Sequence, residues 1–452
     1  MEDKSAVKLQ GEKGVSSFES DSLELLMPAG SLEKLQFAFA YGADAVYAGA
    51  PFFSLRAREN GFNKETLKEG ISYAHALGKK IYITMNIFAH NNKVAGFLDS
   101  FLEMYELKPD AFIMSDVGLI KKALSLRPDV TIHLSTQANA VNWTDVEFWK
   151  ELGVKRIILS RELSLTEIRE IREKVAQIEL EAFVHGAICI SYSGRCLISN
   201  YLNHRDSNQG TCTNSCRWHY KLGLERASIR SVEDELAASS PTAYTPLAGS
   251  YYLKEQKRED EPFPIDEDEY GTYLMNSKDL CAIEFLQELQ RAGVCSFKVE
   301  GRTKSIYYLA ITTRAYRRAI DDLLQNKPFD KDNLLELFAT SSRTFTTGFL
   351  ARNPRGYGEN FCDGESLPLT HKFAARVLEY DPNTEMALLD VRNKISLGDT
   401  LEWITPQESV AAVLTEIIDK NGKPLSAASG GCYVRIKSPV NADKFTLLRK
   451  RL

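Results

Sequence analysis

Residues 24–49 read ELLMPAGSLEKLQFAFAYGADAVYAG, in which two short apolar segments flank a stretch with helical spacing. In the middle stretch the apolar residues recur every three or four positions, the pattern of a helix that packs on a sheet by one face. The two flanking segments are short and apolar, which is typical of buried strands. The sequence therefore predicts a strand, a helix and a second strand in direct succession.

The same alternation continues along the chain and predicts eight strands. They are residues 24–30, 44–49, 80–86, 111–116, 131–138, 156–162, 181–188 and 296–301. Eight strands, each followed by a helix or a loop insertion, are the number in a (β/α)8 barrel. A doubly wound sheet is the alternative, but such sheets rarely reach eight strands without a dinucleotide-binding fingerprint, and no G-x-G-x-x-G occurs. We therefore expect an α/β protein with a (β/α)8-barrel-like N-terminal domain.

The chain divides into four predicted regions, one of which carries an insertion. Residues 1–22 are polar and predicted to be a disordered tail, and residues 23–325 to form the catalytic (β/α)8-like domain. Within this domain residues 226–271 are rich in Ser, Pro, Tyr and acidic side chains, which predicts an acidic, partly mobile insertion. Residues 326–370 are predicted to be a linker with turns. Short alternating strands in residues 371–452 predict a small C-terminal all-β barrel.

Composition and charge limit the class of protein. With 452 residues, of which 44% are apolar and 26% charged, the chain is typical of a soluble globular protein of two or three domains. No apolar run is long enough for a membrane span and the N-terminus is polar, so we expect a cytoplasmic protein. In that reducing compartment the eight cysteines are expected to be ligands or buried thiols. The net charge of −5 argues against unspecific coating of nucleic acid but leaves room for a local basic surface.

Half of the cysteines fall in residues 181–219, EAFVHGAICISYSGRCLISNYLNHRDSNQGTCTNSCRWH. They are Cys189, Cys196, Cys212 and Cys216. The stretch begins as an apolar strand and continues with Gly, Ser and Asn, so its backbone is suited to wrap around a soft metal centre. Spacing alone leaves three readings open: structural zinc, an iron–sulfur cluster, or unligated thiols. The C-x6-C spacing is loose for a zinc knuckle, which favours the cluster.

Polar side chains follow the predicted strands at several points. They are Asn86, Ser115, Asp116, Gln137, Asn139, Arg161, Glu162, His185, Glu300 and Arg302. In a (β/α)8 barrel the C-terminal strand ends build the active site, so these side chains are expected around one opening. The alternative is that they simply begin loops, as polar residues do in every fold.

Seven motifs resemble those of peptidase family U32. They are PAG (28–30), YGADAVYAG (41–49), HLSTQANAVNW (133–143), ILSRELSL (158–165), EAFVHGAICISYSGRC (181–196), NQGTCTNSCRW (208–218) and FKVEGRTKS (297–305). The resemblance covers about residues 23–440 and is strongest to a branch whose members hydroxylate tRNA. The family name suggests proteolysis, but the chain has no H-E-x-x-H and no G-x-S-x-G, so we do not expect a peptidase.

The resemblance implies an enzyme that makes 5-hydroxyuridine at the wobble position of tRNA, requires prephenate and carries an iron–sulfur cluster. On this basis the expected cofactor is a 4Fe-4S cluster on Cys189, Cys196, Cys212 and Cys216, with Cys281 as a reserve ligand. A non-catalytic iron–sulfur or zinc protein that binds a translation component is the alternative from another class.

The substrates suggest roles for the strand-end residues. Prephenate carries two carboxylates, which guanidinium groups bind in bidentate pairs, so Arg161, Arg195 and Arg302 are candidates. A uracil ring must leave its stack to expose C5, which is inexpensive in a single-stranded anticodon loop. The candidates for holding that ring are Gln137, Tyr192 and Trp218, although core packing is the commoner fate of an aromatic side chain. The candidate catalytic residues are His185, Glu300 and Asn86.

A strong helix is predicted over residues 304–325, KSIYYLAITTRAYRRAIDDLLQ. Its basic side chains are Lys304, Arg314, Arg317 and Arg318, and the last three share one flank. They are candidates for RNA contact, with a solvated helix face as the alternative.

Overall fold

The computed structural model of the chain describes residues 23–55, 61–189, 191–213, 251–255, 258–268, 271–273, 278–340, 345–351 and 371–452. Most buried apolar side chains of the N-terminal domain belong to one large core, and the C-terminal domain has a second core of its own. A third, smaller apolar cluster lies inside the barrel described below.

Eight parallel strands form a closed barrel. They are β1 (Glu24–Ala29), β2 (Ala45–Gly49), β3 (Lys80–Met85), β4 (Ala111–Met114), β5 (Ile132–Leu134), β6 (Arg156–Ile158), β7 (Glu179–Ala187) and β12 (Val294–Val299). The first seven pair in chain order, and β12 closes the ring because it pairs in parallel with both β1 and β7. Each strand falls on a segment that the sequence predicts as a strand, so the (β/α)8 prediction is confirmed.

Helices surround the barrel and follow most of its strands. They are α1 (Leu32–Ala40), α2 (Lys64–Ala76), α3 (Val94–Tyr105), α4 (Val117–Leu126), α5 (Trp143–Leu152), α6 (Leu165–Lys174), α7 (Ile198–Asn203), α8 (Leu286–Arg291), α9 (Ile306–Leu324) and α10 (Lys331–Phe338). Side-chain caps begin several of them: Ser164 and Glu167 form a reciprocal capping box at α6. No helix in the described part of the chain is long and apolar enough to cross a membrane.

The region between β7 and β12 contains strands that the sequence analysis did not predict. β8 (Tyr251–Glu255), β9 (Arg258–Asp268) and β10 (Gly271–Tyr273) form a three-stranded antiparallel sheet within the predicted acidic insertion. β11 (Asp279–Cys281) then pairs antiparallel with the end of β7, and β13 (Phe345–Thr346) pairs with β11. The segment predicted to be a linker therefore holds α10 and β13.

The C-terminal domain is an antiparallel all-β domain, as predicted. Its strands are β14 (His371–Asp381), β15 (Met386–Val391), β16 (Ile395–Ser396), β17 (Thr400–Ile404), β18 (Ser409–Val413), β19 (Ile418–Asp419), β20 (Ala427–Ala428), β21 (Tyr433–Lys437) and β22 (Leu447–Arg451). Seven of them form one sheet, and β16 pairs with β20. The alternation of buried and exposed residues in β21 is that of a sheet with one covered face.

Helix α9 joins the two domains, and this corrects the prediction that Arg314 contacts RNA. Arg314 is only 2% exposed. Its guanidinium donates hydrogen bonds to the carbonyl oxygens of Thr405 at 2.8 Å and Glu408 at 3.1 Å, and it pairs with Glu336. An arginine covered by the C-terminal domain presents no charge to an RNA backbone, so its role is structural.

The neighbouring arginines of α9 are also held by protein partners. Arg317 forms ion pairs with Asp44 at 2.8 Å and Asp321 at 2.7 Å. Arg318 lies 3.5 Å from Glu336 and donates to the Gln407 carbonyl at 3.2 Å. Both arginines therefore have protein partners, and their contact with RNA stays a prediction.

Candidate active site at the mouth of the barrel

A cavity of about 730 Å³ opens at the face formed by the C-terminal ends of the barrel strands, which we call the mouth. It reaches from the inside of the barrel to the cysteine-containing segment after β7. The predicted residues that line it are Asn86, Gln137, Arg161, Glu162, Cys189, Tyr192, Cys196, Cys212, Glu300, Arg302 and Lys304. Six of these eleven belong to the polar side chains at the strand ends, where this fold is expected to build its site.

The cavity floor is formed by side chains that point into the barrel. Tyr47, Ile113, Ile158 and Phe183 belong to the small apolar cluster inside the ring, and Lys298 lies among them. Lys298 is 3% exposed and donates a hydrogen bond to Glu181 at 2.7 Å. Its ammonium also lies 4.5 Å from the centre of the Tyr47 ring. Burial lowers the pKa of Lys298, although Glu181 counteracts this effect.

A network of buried charges lies beneath this floor, toward the N-terminal ends of the strands. Arg156 bonds to Glu24 and Glu179, and its Nη1 lies 3.1 Å from Glu181. Tyr82 and Ser296 donate hydrogen bonds to Glu24 at 2.6 and 2.8 Å. Burial raises the pKa of Glu24, but the charge and hydrogen bonds of Arg156 outweigh it and hold this pKa below its ordinary value. The network holds Glu181, the hydrogen-bond partner of Lys298, in a fixed position beneath the floor.

One wall of the cavity is lined by amide and hydroxyl groups. Asn86 accepts a hydrogen bond from the Leu55 N–H at 3.2 Å and donates to Ser135 at 3.3 Å. Ser115 donates to the backbone carbonyl of Asn86 at 3.1 Å, and it lies 3.3 Å from the side-chain oxygen of Gln137. These groups are fixed hydrogen-bonding partners rather than proton carriers at neutral pH, which suits recognition of a polar ring.

Arg161 and Glu300 face each other across the cavity. The Arg161 guanidinium lies 3.9 Å from the Glu300 carboxylate and 3.9 Å from the centre of the Phe183 ring. Its Nη1 donates to the Ala187 carbonyl at 2.8 Å, whereas its buried Nε has no hydrogen-bond partner among the described residues. Tyr47 donates to the Val299 carbonyl at 2.9 Å and lies 3.4 Å from Glu300. Arg161 is therefore held in place, and its Nη2, 3.9 Å from Glu300, is the guanidinium nitrogen that has no hydrogen bond among the described residues and is not buried.

Arg302 is more deeply fixed than Arg161. It is 8% exposed, and its guanidinium donates to Thr84 Oγ1 at 3.1 Å and to the Leu55 carbonyl. Its own carbonyl accepts a hydrogen bond from Lys34 at 2.9 Å. The carbonyl lies so close to Gly30 that a Cβ there would come within 2.0 Å of it, which explains the glycine of the PAG sequence.

The segment after β7 is tied to the mouth by contacts with several loops. Gly194 has a φ of +71°, and a Cβ at this position would lie 2.0 Å from the Gln137 carbonyl oxygen. Ser193 donates backbone and side-chain hydrogen bonds to Glu162 at 2.7 and 3.1 Å. Lys93 donates to Gln209 at 2.9 Å. The segment is thus anchored between Cys189 and Cys196 and again between Cys196 and Cys212.

Three of the four predicted ligands, Cys189, Cys196 and Cys212, line the cavity. Cys189 is exposed, and Cys196 and Cys212 are half-buried. Cys216 lies outside the described residues. Within the described ranges, no group of three or more His, Cys, Asp or Glu side chains converges closely enough to bind a single metal ion. A 4Fe-4S cube takes one thiolate per iron, so its ligands surround a larger object than a zinc ion does. Three sulfur donors around one opening fit such a cluster.

Several predicted residues do not line the cavity, among them His185 and Arg195. His185 is packed against the rings of Tyr308, Tyr316 and Phe345 and is 2% exposed, and burial lowers its pKa to about 4. A neutral histidine behind the wall cannot contact a substrate here, which corrects its assignment as a catalytic residue. Arg195 is exposed and is not part of the cavity lining, so the cavity gives no support to its assignment to prephenate.

The remaining two candidates are Trp218 and Cys281. Trp218 lies outside the described residues. Cys281 is 7% exposed, pairs through its strand with His185, and does not line the cavity. Burial raises the pKa of Cys281 to about 11, which disfavours the thiolate that iron requires. The structure therefore gives no support to Cys281 as a reserve ligand.

Lys298 is the functional candidate that the sequence analysis missed. It lies in FKVEGR, where Phe297 and Val299 are fully buried in the outer core and Lys298 points the other way. In most sheets this alternation indicates a solvent-facing lysine. In a closed barrel, however, the other face of each strand points into the barrel. A lysine on that face is therefore a sequence signal for a functional residue.

Comparisons with known proteins agree with this architecture. A family model described as "Peptidase family U32" matches residues 30–360, and one described as "Peptidase family U32 C-terminal domain" matches residues 369–449. The chain therefore belongs to peptidase family U32.

Several relatives carry names that refer to RNA hydroxylation. The chain is 44% identical to tRNA hydroxylation protein P of Haemophilus influenzae over 95% of this chain and 96% of that protein. It is 46% identical to tRNA hydroxylation protein P of Escherichia coli over 93% of this chain and 94% of that protein. It is 30% identical to the 23S rRNA 5-hydroxycytidine C2501 synthase of Escherichia coli over 68% of this chain and 41% of that protein.

Proposed function

We propose that this chain is a tRNA-modifying enzyme that hydroxylates C5 of the wobble uridine, requires prephenate and carries a 4Fe-4S cluster. One observation carries the proposal: thiols, fixed arginines and amide groups line a single cavity at the mouth of the barrel. Its volume of about 730 Å³ has room for a small dicarboxylate and one nucleobase. The names of relatives that align over nearly the whole chain support the reaction class.

The nucleobase is assigned to the outer part of the cavity. Tyr192 lines the cavity and is 64% exposed, so its ring is accessible for stacking by a base that has left its own stack. The Gln137 amide and the Asn86 amide lie on the adjoining wall and offer the donors and acceptors that the edge of a uracil ring requires. An unpaired anticodon base reaches this position without breaking a duplex.

The cluster is assigned to Cys189, Cys196 and Cys212, together with Cys216. When bound, an iron–sulfur cluster supplies electron transfer or, at an open iron, Lewis acidity. The residues of the chain bind and orient the substrates beside it. Glu300, the carboxylate that faces Arg161, lines the same cavity and is the candidate for a proton acceptor beside the nucleobase.

Arg161→Lys is expected to weaken the apparent affinity for prephenate. A guanidinium binds a carboxylate through two parallel hydrogen bonds, which an ammonium cannot reproduce. Loss of such a contact costs about 1.5–3 kcal/mol, which corresponds to roughly a tenfold to a hundredfold change in affinity. The measurement is the prephenate concentration for half-maximal hydroxylation in protein that retains its iron.

Arg195→Lys is the matched control for this prediction. Arg195 belongs to the same segment as the cysteines but does not line the cavity, so its variant should titrate like the parent. Equal half-maximal concentrations for Arg161→Lys and the parent would mean that the dianion binds elsewhere.

The function itself is tested on tRNA from cells that lack this chain. Mass spectrometry of the nucleosides should show that 5-hydroxyuridine and its derivatives are lost, and that expression of the parent chain restores them. Unchanged nucleosides in a strain without other members of this family would exclude the proposed reaction and favour a non-catalytic role.

A further inference from the structure

Two positively charged side chains lie beside one aromatic ring at the floor of the cavity. Lys298 and Arg161 both contact the Phe183 ring, with their charged groups 5.4 and 3.9 Å from its centre. Both side chains line the cavity, and Lys298 is 3% exposed. Two cations that share one aromatic ring at the bottom of a barrel repel each other unless anions lie nearby.

The protein supplies only part of that compensation. Glu181 accepts from Lys298 at 2.7 Å, but its other oxygen is shared with Arg156 at 3.1 Å. Glu300 lies 3.9 Å from Arg161, which exceeds the length of a direct hydrogen bond. Lys298 has three N–H donors, and Glu181 is its one hydrogen-bond partner among the described residues.

Two residues that line the cavity therefore keep donors without a protein partner among the described residues. They are Lys298, through its remaining N–H groups, and Arg161, through the Nη2 that lies 3.9 Å from Glu300. Buried donors without partners are rare in proteins and cost free energy unless a ligand or water satisfies them. A carboxylate satisfies both needs, since it accepts hydrogen bonds and neutralises charge.

We propose that Lys298 and Arg161 form a deep anion subsite that binds the carboxylates of a small dicarboxylic acid at the cavity floor. This inference rests on the proposed function, under which the dicarboxylic acid is prephenate. It places the acid below the nucleobase, with one carboxylate on Lys298 and the other within reach of Arg161. The acid therefore enters before the base, which then closes the mouth above it.

The subsite is tested by calorimetric titration of prephenate into the iron-loaded protein without tRNA. Lys298→Met should weaken binding by about tenfold or more, as expected for loss of a charge-assisted contact. Lys298→Arg keeps the charge and should retain most of the affinity. Tyr82→Phe is the matched control: it removes a hydrogen bond to Glu24 from the network beneath the floor but does not line the cavity, so its affinity should equal that of the parent.

A double variant distinguishes a loss of prephenate binding from a loss of stability of the fold. Lys298→Met leaves Glu181 with one cation fewer and is expected to lower the melting temperature. Glu181→Gln together with Lys298→Met removes both charges, so it should recover stability without recovering affinity.

If the double variant binds prephenate as tightly as the parent, Lys298 acts only through the fold. If Lys298→Met alone binds like the parent, the subsite is excluded while the proposed function stands. If the parent itself binds no prephenate, both proposals fail.

Discussion

Replacing Cys189, Cys196 or Cys212 by Ala is expected to remove the iron–sulfur cluster and abolish hydroxylation completely. A 4Fe-4S cube takes one thiolate at each iron, and no harder side chain replaces sulfur there. All three cysteines line the cavity, on a segment fixed by Gly194 and Ser193. The measurement is iron and acid-labile sulfide per chain after purification without oxygen, about four of each for the parent. Cys216→Ala is expected to behave in the same way.

Cys295 and Cys432 provide the controls for this series. Cys295 is 8% exposed in β12, and Cys432 is exposed in the C-terminal domain, so neither reaches the mouth. Their Ala variants should keep both iron and activity. Cys281→Ala should also keep its iron, because that thiol is buried behind the wall. If Cys281→Ala loses the cluster while Cys212→Ala keeps it, the assigned ligand set is wrong. A colourless protein with zinc and full activity would exclude the cluster.

The second large effect is expected for Arg156→Met, which removes the cation that Glu24 and Glu181 share. Breaking a buried charge pair from one side costs about 3–5 kcal/mol, because the partner remains buried without compensation. Arg156 does not line the cavity, so the loss should appear in the free energy of unfolding. Denaturant unfolding of the parent and the variant measures it. Ser296→Ala, which removes one hydrogen bond to Glu24, should cost only about 0.5–1.5 kcal/mol.

The same network predicts an acid dependence of stability. The pKa of Glu24 is lowered in the folded state, so its contribution is present above its unfolded pKa and is lost as the pH falls through the folded pKa. Arg156→Met removes the charge that lowers this pKa. The variant should therefore lose less stability than the parent when the pH is taken from neutral to below the ordinary pKa of a glutamate. If the free energy of unfolding depends on pH in the same way in both proteins, Arg156 is not the group that lowers the pKa of Glu24.

The barrel was predictable because parallel strands buried on both faces are continuous apolar segments. Arg161, Glu300 and Arg302 were predictable because each directly follows such a segment, and the fold brings strand ends together. Gly194 and Gly30 belong to motifs whose physical reason appears only in the structure, where neighbouring carbonyl groups leave no room for a Cβ.

Burial by distant parts of the chain was not predictable. Arg314 appears on a helical projection as a basic surface residue, yet Thr405 and Glu408 of the C-terminal domain cover it. His185 follows the rule for strand ends but is enclosed by aromatic rings from α9 and β13. Lys298 is the opposite case. The alternation in its strand suggests a solvent-exposed side chain, but closure of the barrel places that side chain at the floor of the cavity. In each case a contact between residues far apart in the chain decides the outcome.

We propose that one cavity brings the cluster, prephenate and the wobble uridine together. Hydroxylation adds an oxygen atom and removes two electrons from the ring, so the reaction also needs an oxygen donor and an oxidant. The most direct test therefore adds the purified, iron-loaded chain, prephenate and tRNA from cells that lack the chain to an extract of cells that lack both the chain and prephenate, which supplies these co-reactants. Mass spectrometry of the product should show one added oxygen atom at the wobble uridine, only when prephenate is present and only with protein that retains its cluster. Equal product from the Cys189→Ala variant, or no product from fully loaded protein with bound tRNA and prephenate, would contradict the account.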